Sequence, residues 1–111
     1  MSGIDIVMAV TDREAVMAEK YVHFDEEIHQ YLLKQFGNDP TFHLLLQLDR
    51  YETRIIYRKD IPNLIKICHN LSGIYGSEDG CEPLIRNFVK ELRNMCEEAL
   101  KFKKHLYTIG D

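Results

Sequence analysis

DIPNLIKICHNLSGIYGSEDG, residues 60–80, is the stretch on which the reading of this chain turns. Asp60 suits an N-cap, and Pro62 suits the first turn of a helix, where a missing N–H costs nothing. At about 100° per residue, Ile61, Leu64, Ile65, Cys68, Leu71 and Tyr75 share one side, widened by Ile67 and Ile74, while His69 lies nearly opposite. The spacing predicts a helix over 61–75 with His69 facing water. Its outer neighbours Ser72, Gly73 and Gly76 leave nothing tall beside the imidazole. That openness costs stability, since glycine inside a helix is worse than alanine by about 1 kcal/mol.

Working outward, the same periodicity predicts three more helices. Thr11-Asp12-Arg13-Glu14 matches a capping box, with Val10 ahead of it as a hydrophobic staple. From there Met17, Tyr21, Phe24, Ile28, Tyr31 and Gln35 recur at intervals of four and three, widened by Leu32 and Phe36, up to a stop at Gly37. This gives a helix near 12–36. Asp39 and Pro40 open a second, near 40–58, with Leu44, Leu48, Tyr51 and Ile55 as its stripe. Beyond the turn at Gly76 to Gly80, Cys81, Ile85, Phe88, Leu92, Met95, Ala99, Phe102 and Leu106 alternate without a miss over a helix near 82–107. Short links between successive helices place them antiparallel, so the expected fold is an all-α, up-down antiparallel four-helix bundle, one domain over 1–111 with residues 1–10 as an N-terminal extension. The first and last helices outrun the middle two. At their overhanging ends Phe102, Leu106 and Ile109 need cover, either from Ile4, Ile6, Val7 and Met8 or from a second copy in a homodimer.

His69-Asn70-Leu71-Ser72-Gly73 resembles the H-x-L-K-G signature of histidine phosphotransfer domains, helical bundles that pass a phosphoryl group between the aspartates of receiver domains. Asp60 and Leu64 ahead of the histidine, and Gly76 and Gly80 after it, fit the same pattern. The resemblance implies a phosphorelay carrier in which His69 is the phosphoacceptor and Gly73 lets an acidic receiver come close. Ser72, Gly76 and Lys66 complete the candidate binding residues, with Ser72 offering a hydrogen bond where the family has lysine. A neutral imidazole is a competent nucleophile near neutral pH. The chain then needs no cofactor or metal of its own, because Mg²⁺ arrives with the receiver.

The rest of the sequence narrows the alternatives. A chain of 111 residues with 45% hydrophobic residues can bury a core unaided, and a formal charge of −4 argues against a general nucleic-acid or anionic-membrane binder. Cys68, Cys81 and Cys96 sit at apolar positions with no close pair and read as buried thiols of a reducing compartment. The eight apolar-rich residues from Gly3 to Val10 are too few to span a membrane and lack the basic start of a signal peptide, so the expected location is cytoplasmic.

His23, Asp25, Glu26, Glu27 and His29 have helical i,i+4 pairs. On one straight helix, however, His23 and His29 point too far apart to share an ion, and a solvated acidic face is the simpler reading. Arg50, Arg54 and Arg58, continued by Lys59, form a basic stripe, as do Arg86, Lys90 and Arg93; either suits an anionic partner or a solvated face. No phosphate loop, zinc-ligand spacing or serine-nucleophile motif is present, so any enzyme activity would be that of a phosphocarrier. Two functions stand: a phosphohistidine shuttle on His69, or a non-catalytic module that binds another protein and in which His69 is incidental. A pure binder should carry an exposed apolar patch or a symmetric oligomer surface.

Overall fold

Gly3–Ala9 is not an extension but the central strand, β1, of an antiparallel sheet. Its Ile4, Ile6, Val7 and Ala9 are buried on both faces. That explains why it reads as a continuous apolar run rather than an alternating one. The computed structural model describes residues 2–76 and 83–110. Among these the chain forms four strands, β1, β2 (Val22–Asp25), β3 (Arg54–Ile56) and β4 (His105–Gly110), in the order β2-β1-β4-β3. It also forms five α-helices, α1 (Asp12–Met17), α2 (Glu26–Phe36), α3 (His43–Leu46), α4 (Ile61–Tyr75) and α5 (Pro83–Lys101). The protein is therefore a mixed α/β structure, and the all-α four-helix bundle is overturned.

Each departure has a local cause. The expected helix over 12–36 breaks at Ala18 into α1, β2 and α2. Val22, His23, Phe24 and Asp25 alternate with period two: Val22 and Phe24 are buried, while His23 and Asp25 turn to the opposite face. In so short a run Tyr21 and Phe24 satisfy a helical spacing equally well. Asp25 then caps α2, its carboxylate accepting from Glu27 N–H at 3.0 Å. The expected helix over 40–58 is a 3₁₀ turn at Pro40–Phe42, the short α3, a loop and β3.

The last helix stops at Lys101 rather than 107. Lys103 takes the left-handed conformation (φ 56°), Lys104 N–H bonds Ala99 C=O at 2.8 Å and Lys103 N–H bonds Leu100 C=O at 3.3 Å. This is a Schellman stop built without the glycine that usually announces it. Leu106 then becomes a fully buried strand residue, and Phe102 lies exposed. α4 stands at 61–75, but it follows a 3₁₀ turn at Arg58–Asp60, and the Asp60 side chain makes no cap hydrogen bond. Gly80, Cys81 and the expected helix start at 82 lie outside the described residues.

The overhanging helix ends thus have no counterpart. Ile4, Ile6 and Met8 do meet the C-terminal residues, but as a strand pair in which Ile4 faces Gly110, Asp5 faces Ile109, Ile6 faces Thr108 and Met8 faces Leu106. The main core lies between one sheet face (Ile4, Ile6, Val22, Phe24, Ile56, Leu106) and the helices α4, α5, α2 and α3. Thr108, buried at the β3 edge, is satisfied by its own neighbour: its hydroxyl accepts from Arg54 N–H at 3.1 Å and donates to Arg54 C=O at 3.3 Å. The opposite sheet face has a much smaller core of Val7, Ala9, Tyr107 and Ala15 of α1.

Candidate functional site

Lys66, His69, Gly73 and Gly76 lie along the exposed side of α4, and Ser72 is half-buried beside them. Their spacings of three, four and seven residues bring them onto one face, as the pattern of apolar positions implied. His69 is in no hydrogen bond or ion pair among the described residues. A side chain built on Gly73 would meet nothing within 4 Å, so a partner surface has room to approach. Buried Cys68 points the other way, towards Cys96 of α5; burial pushes the Cys68 thiol up to about 12 and raises Cys96 as well. Both act as small apolar core groups rather than nucleophiles.

The sheet presents a second candidate. Side chains alternate across a strand, so the face turned away from α4 and α5 carries Ile55 and Tyr57 from β3 and its continuation, His105, Tyr107 and Ile109 from β4, and Val7 and Ala9 from β1. Pairing aligns them: Tyr107 stands opposite both Val7 and Ile55, and His105 opposite Ala9. Among the described residues α1 is the helix that covers this face, and it leaves a groove of about 490 Å³ lined by Asp12, Ala15, Val16, Thr53, Ile55, Tyr107 and Ile109. Val16 on the rim is 80% exposed, and Met17, Val10 and Tyr21 are also exposed. The groove is not wholly apolar: Asp12, Thr53 and the Tyr107 hydroxyl bring polar groups to it. The Tyr107 hydroxyl donates to Val10 C=O at 3.3 Å, and burial, then the Asp12 carboxylate, holds this phenol above its ordinary value.

α1 is held on the sheet by a polar clamp that begins at the capping box. Thr11 Oγ1 accepts from Glu14 N–H at 3.2 Å, while the Glu14 carboxylate accepts from Val10 N–H at 2.6 Å and from Lys104 Nζ at 2.8 Å. The Lys104 contact, then the Val10 N–H, lowers the Glu14 carboxyl from its ordinary 4.5. A carboxylate depressed in the folded state stabilises it above the ordinary value, and that contribution is lost as pH falls through the folded one. The stability difference between the parent and Glu14→Gln, measured by urea unfolding, should therefore be full above 4.5, shrink as pH falls below it, and vanish once pH is below the lower folded value.

Beyond Tyr57 and His105 the same face turns basic. Arg58 N–H donates to His105 Nδ1 at 2.9 Å, the Arg58 guanidinium donates to Lys103 C=O at 3.0 Å, and the Tyr57 and His105 rings meet edge to face at 5.3 Å. Lys59 lines the same open pocket.

The other sequence candidates are dispersed. His23 is on β2, its Nδ1 2.7 Å from Asp5 Oδ1, whereas His29 on α2 stacks on Phe24 and bonds Leu46 C=O at 2.8 Å. The two histidines thus belong to different elements. Among the described residues no three His, Cys, Asp or Glu side chains are placed to hold a metal ion. The 50–58 basic stripe is divided as well: Arg50 pairs with Glu26 at 3.0 Å, Arg54 is on β3 and Arg58 is in the 3₁₀ turn. The sheet-face groove was missed because it requires strands to exist. Its signal was the period-two run at 105–110, which puts Tyr107 and Ile109 on one face.

The fold and the groove define a class: a mixed α/β protein on an antiparallel sheet, packed by long helices on one face and left half open, with an apolar groove and a basic end, on the other. No protein-family model matches the chain, and neither does any curated protein or solved structure. Among the described residues no helix is long and apolar enough to cross a membrane.

Proposed function

We propose that this chain is a protein-binding module that docks its partner on the sheet face around α1. The observation that carries this reading is the apolar groove at Ile55, Tyr107 and Ile109, with Val16 exposed on its rim and Met17 exposed next to it in sequence. Contiguous exposed apolar surface beside a groove is unfavourable in water and characteristic of surfaces that are covered in use. Large apolar side chains of a partner would fill the groove, as anchor residues do at the centres of interfaces.

Photo-crosslinking tests this directly. With p-benzoylphenylalanine in place of Val16, the chain produced in its native cells should give a discrete adduct with another protein, whereas the same group in place of exposed Lys90 on α5 should give none. Adducts from neither position, or equally from both, would overturn the reading.

A second reading keeps phosphoryl chemistry on His69, favoured by the exposed imidazole and the open space at Gly73. The frame implied by the resemblance is absent, because α4 lies on a sheet rather than inside a bundle, so the reading now rests on these residues alone. Incubation with a phosphorylated receiver and Mg²⁺ should give an acid-labile, base-stable adduct that is lost in His69→Gln. An unlabelled protein would end it.

A further inference from the structure

The basic end of the groove is an imbalance on an otherwise acidic chain. Arg58, Lys59, Lys101 and Lys103 are in no ion pair among the described residues, although the formal charge of the whole chain is −4. The acids near Lys101 in sequence are committed elsewhere, Glu97 to Arg93 and Glu98 to Lys20, and Glu14 is paired with Lys104. Arg58 and Lys59 are consecutive and the Arg58 guanidinium is bonded to the Lys103 backbone, so their like charges repel, and an anionic surface that covers the patch would stabilise it.

The patch has fixed geometry. Because His105 Nδ1 accepts the Arg58 N–H, the proton of the neutral ring is on Nε2, which adds a donor to the same surface. The guanidinium bond to Lys103 C=O holds Arg58 against the turn that follows α5. Tyr57 and Phe102 supply exposed aromatic surface between the charges, at 50% and 55% exposure. Through Tyr57 and His105 the patch is continuous with the groove, since Ile55 and Tyr107 are the next residues on the same sheet face.

We propose that this surface docks an acidic segment of a partner protein, whose carboxylates pair with Arg58, Lys59 and Lys103 while its apolar side chains lie along Ile55, Tyr107 and Ile109. The proposal rests on the protein-binding reading above and names the chemistry of the partner. Nucleic acid fits less well. The Tyr57 ring is engaged edge to face by His105, and Lys101 Nζ sits over the Phe102 ring at 5.7 Å, which leaves fewer aromatic faces for base stacking. A long polyanion would also leave the patch and run onto surface that carries the excess of acidic side chains.

The test is a titration of ¹⁵N-labelled protein with a short synthetic peptide rich in Glu and Asp with interspersed leucines. Three further probes are run in parallel: the same peptide with Gln and Asn in place of its acids, a single-stranded oligodeoxynucleotide, and phosphatidylcholine–phosphatidylserine vesicles. The acidic peptide should shift amides at 55–59 and 101–109, bind more weakly as salt rises, and lose about tenfold in affinity in Lys59→Glu/Lys103→Glu. Circular dichroism should find that variant folded, because both side chains are exposed.

Absence of binding, binding elsewhere, or binding indifferent to the charge reversal would overturn the proposal, as would tighter binding of the oligonucleotide or the vesicles at these residues. Equal binding of the uncharged peptide in the groove would overturn the acidic partner alone and leave the protein-binding reading standing.

Discussion

Deletion of residues 2–9 is expected to abolish cooperative folding. β1 lies between β2 and β4, so without it β2 has no strand partner and β4 keeps only the three-residue pairing with β3. The deletion also removes Ile4 and Ile6 from the main core and Val7 from the smaller one, all of them buried. Large apolar side chains contribute about 1.5–3 kcal/mol each on burial. Three of them amount to a large share of the about 5–15 kcal/mol by which a native domain is stable. Thermal unfolding followed by near-ultraviolet circular dichroism should lose its sigmoidal transition. A deletion variant that still melts cooperatively within a few degrees of the parent would contradict the central place of β1.

Phe24→Ala should cost about 3–5 kcal/mol, as large-to-small changes of buried aromatics do. Phe24 is fully buried and stacks on two rings from different helices: Phe88 of α5, with centroids 4.6 Å apart and planes 9° apart, and His29 of α2, at 4.5 Å. Its ring therefore joins the edge strand β2 to both helical neighbours, and no adjacent side chain can fill the space without moving a helix. Urea unfolding should show a lower midpoint at an unchanged slope. Phe102→Ala is the informative contrast. Phe102 is also aromatic but is 55% exposed, so its removal should change stability by no more than about 0.5 kcal/mol. If the two variants were equally stable, the assignment of Phe24 to the core would be wrong.

Fold and candidate surface have a common origin. Because α4 and α5 both pack on one face of the sheet, the opposite face has, among the described residues, the six residues of α1 as its helical cover. The exposure of Val16 and Met17 and the groove beside them follow from that asymmetry. The basic end has a further local cause: the turn between α5 and β4 and the turn after β3 both expose cations where the two strands meet.

The sequence by itself determined the features held by neighbours three and four residues apart. α4 at Ile61–Tyr75, the body of α5 with Ile85, Phe88, Leu92, Met95 and Ala99 inward, and the Thr11–Glu14 cap are written in local hydrogen bonding and in a single clear period. The outward side of α4 was legible in the same way, which is why His69, Gly73 and Lys66 lie where that period puts them. Only the tertiary structure decided the strands. Val22–Asp25 and His105–Gly110 are short enough to suit a period of two or of 3.6, and nothing near Lys103 announces a helix end, because its left-handed turn uses lysine instead of glycine. What selects the strand is β1, whose Ile4 pairs with Gly110 at the other end of the chain and whose Asp5 pairs with both His23 and Ile109. Backbone hydrogen bonds between residues so distant in sequence leave no periodic signal in any one segment. The sheet, and the half-open face that it creates, exist only once the two ends of the chain have met.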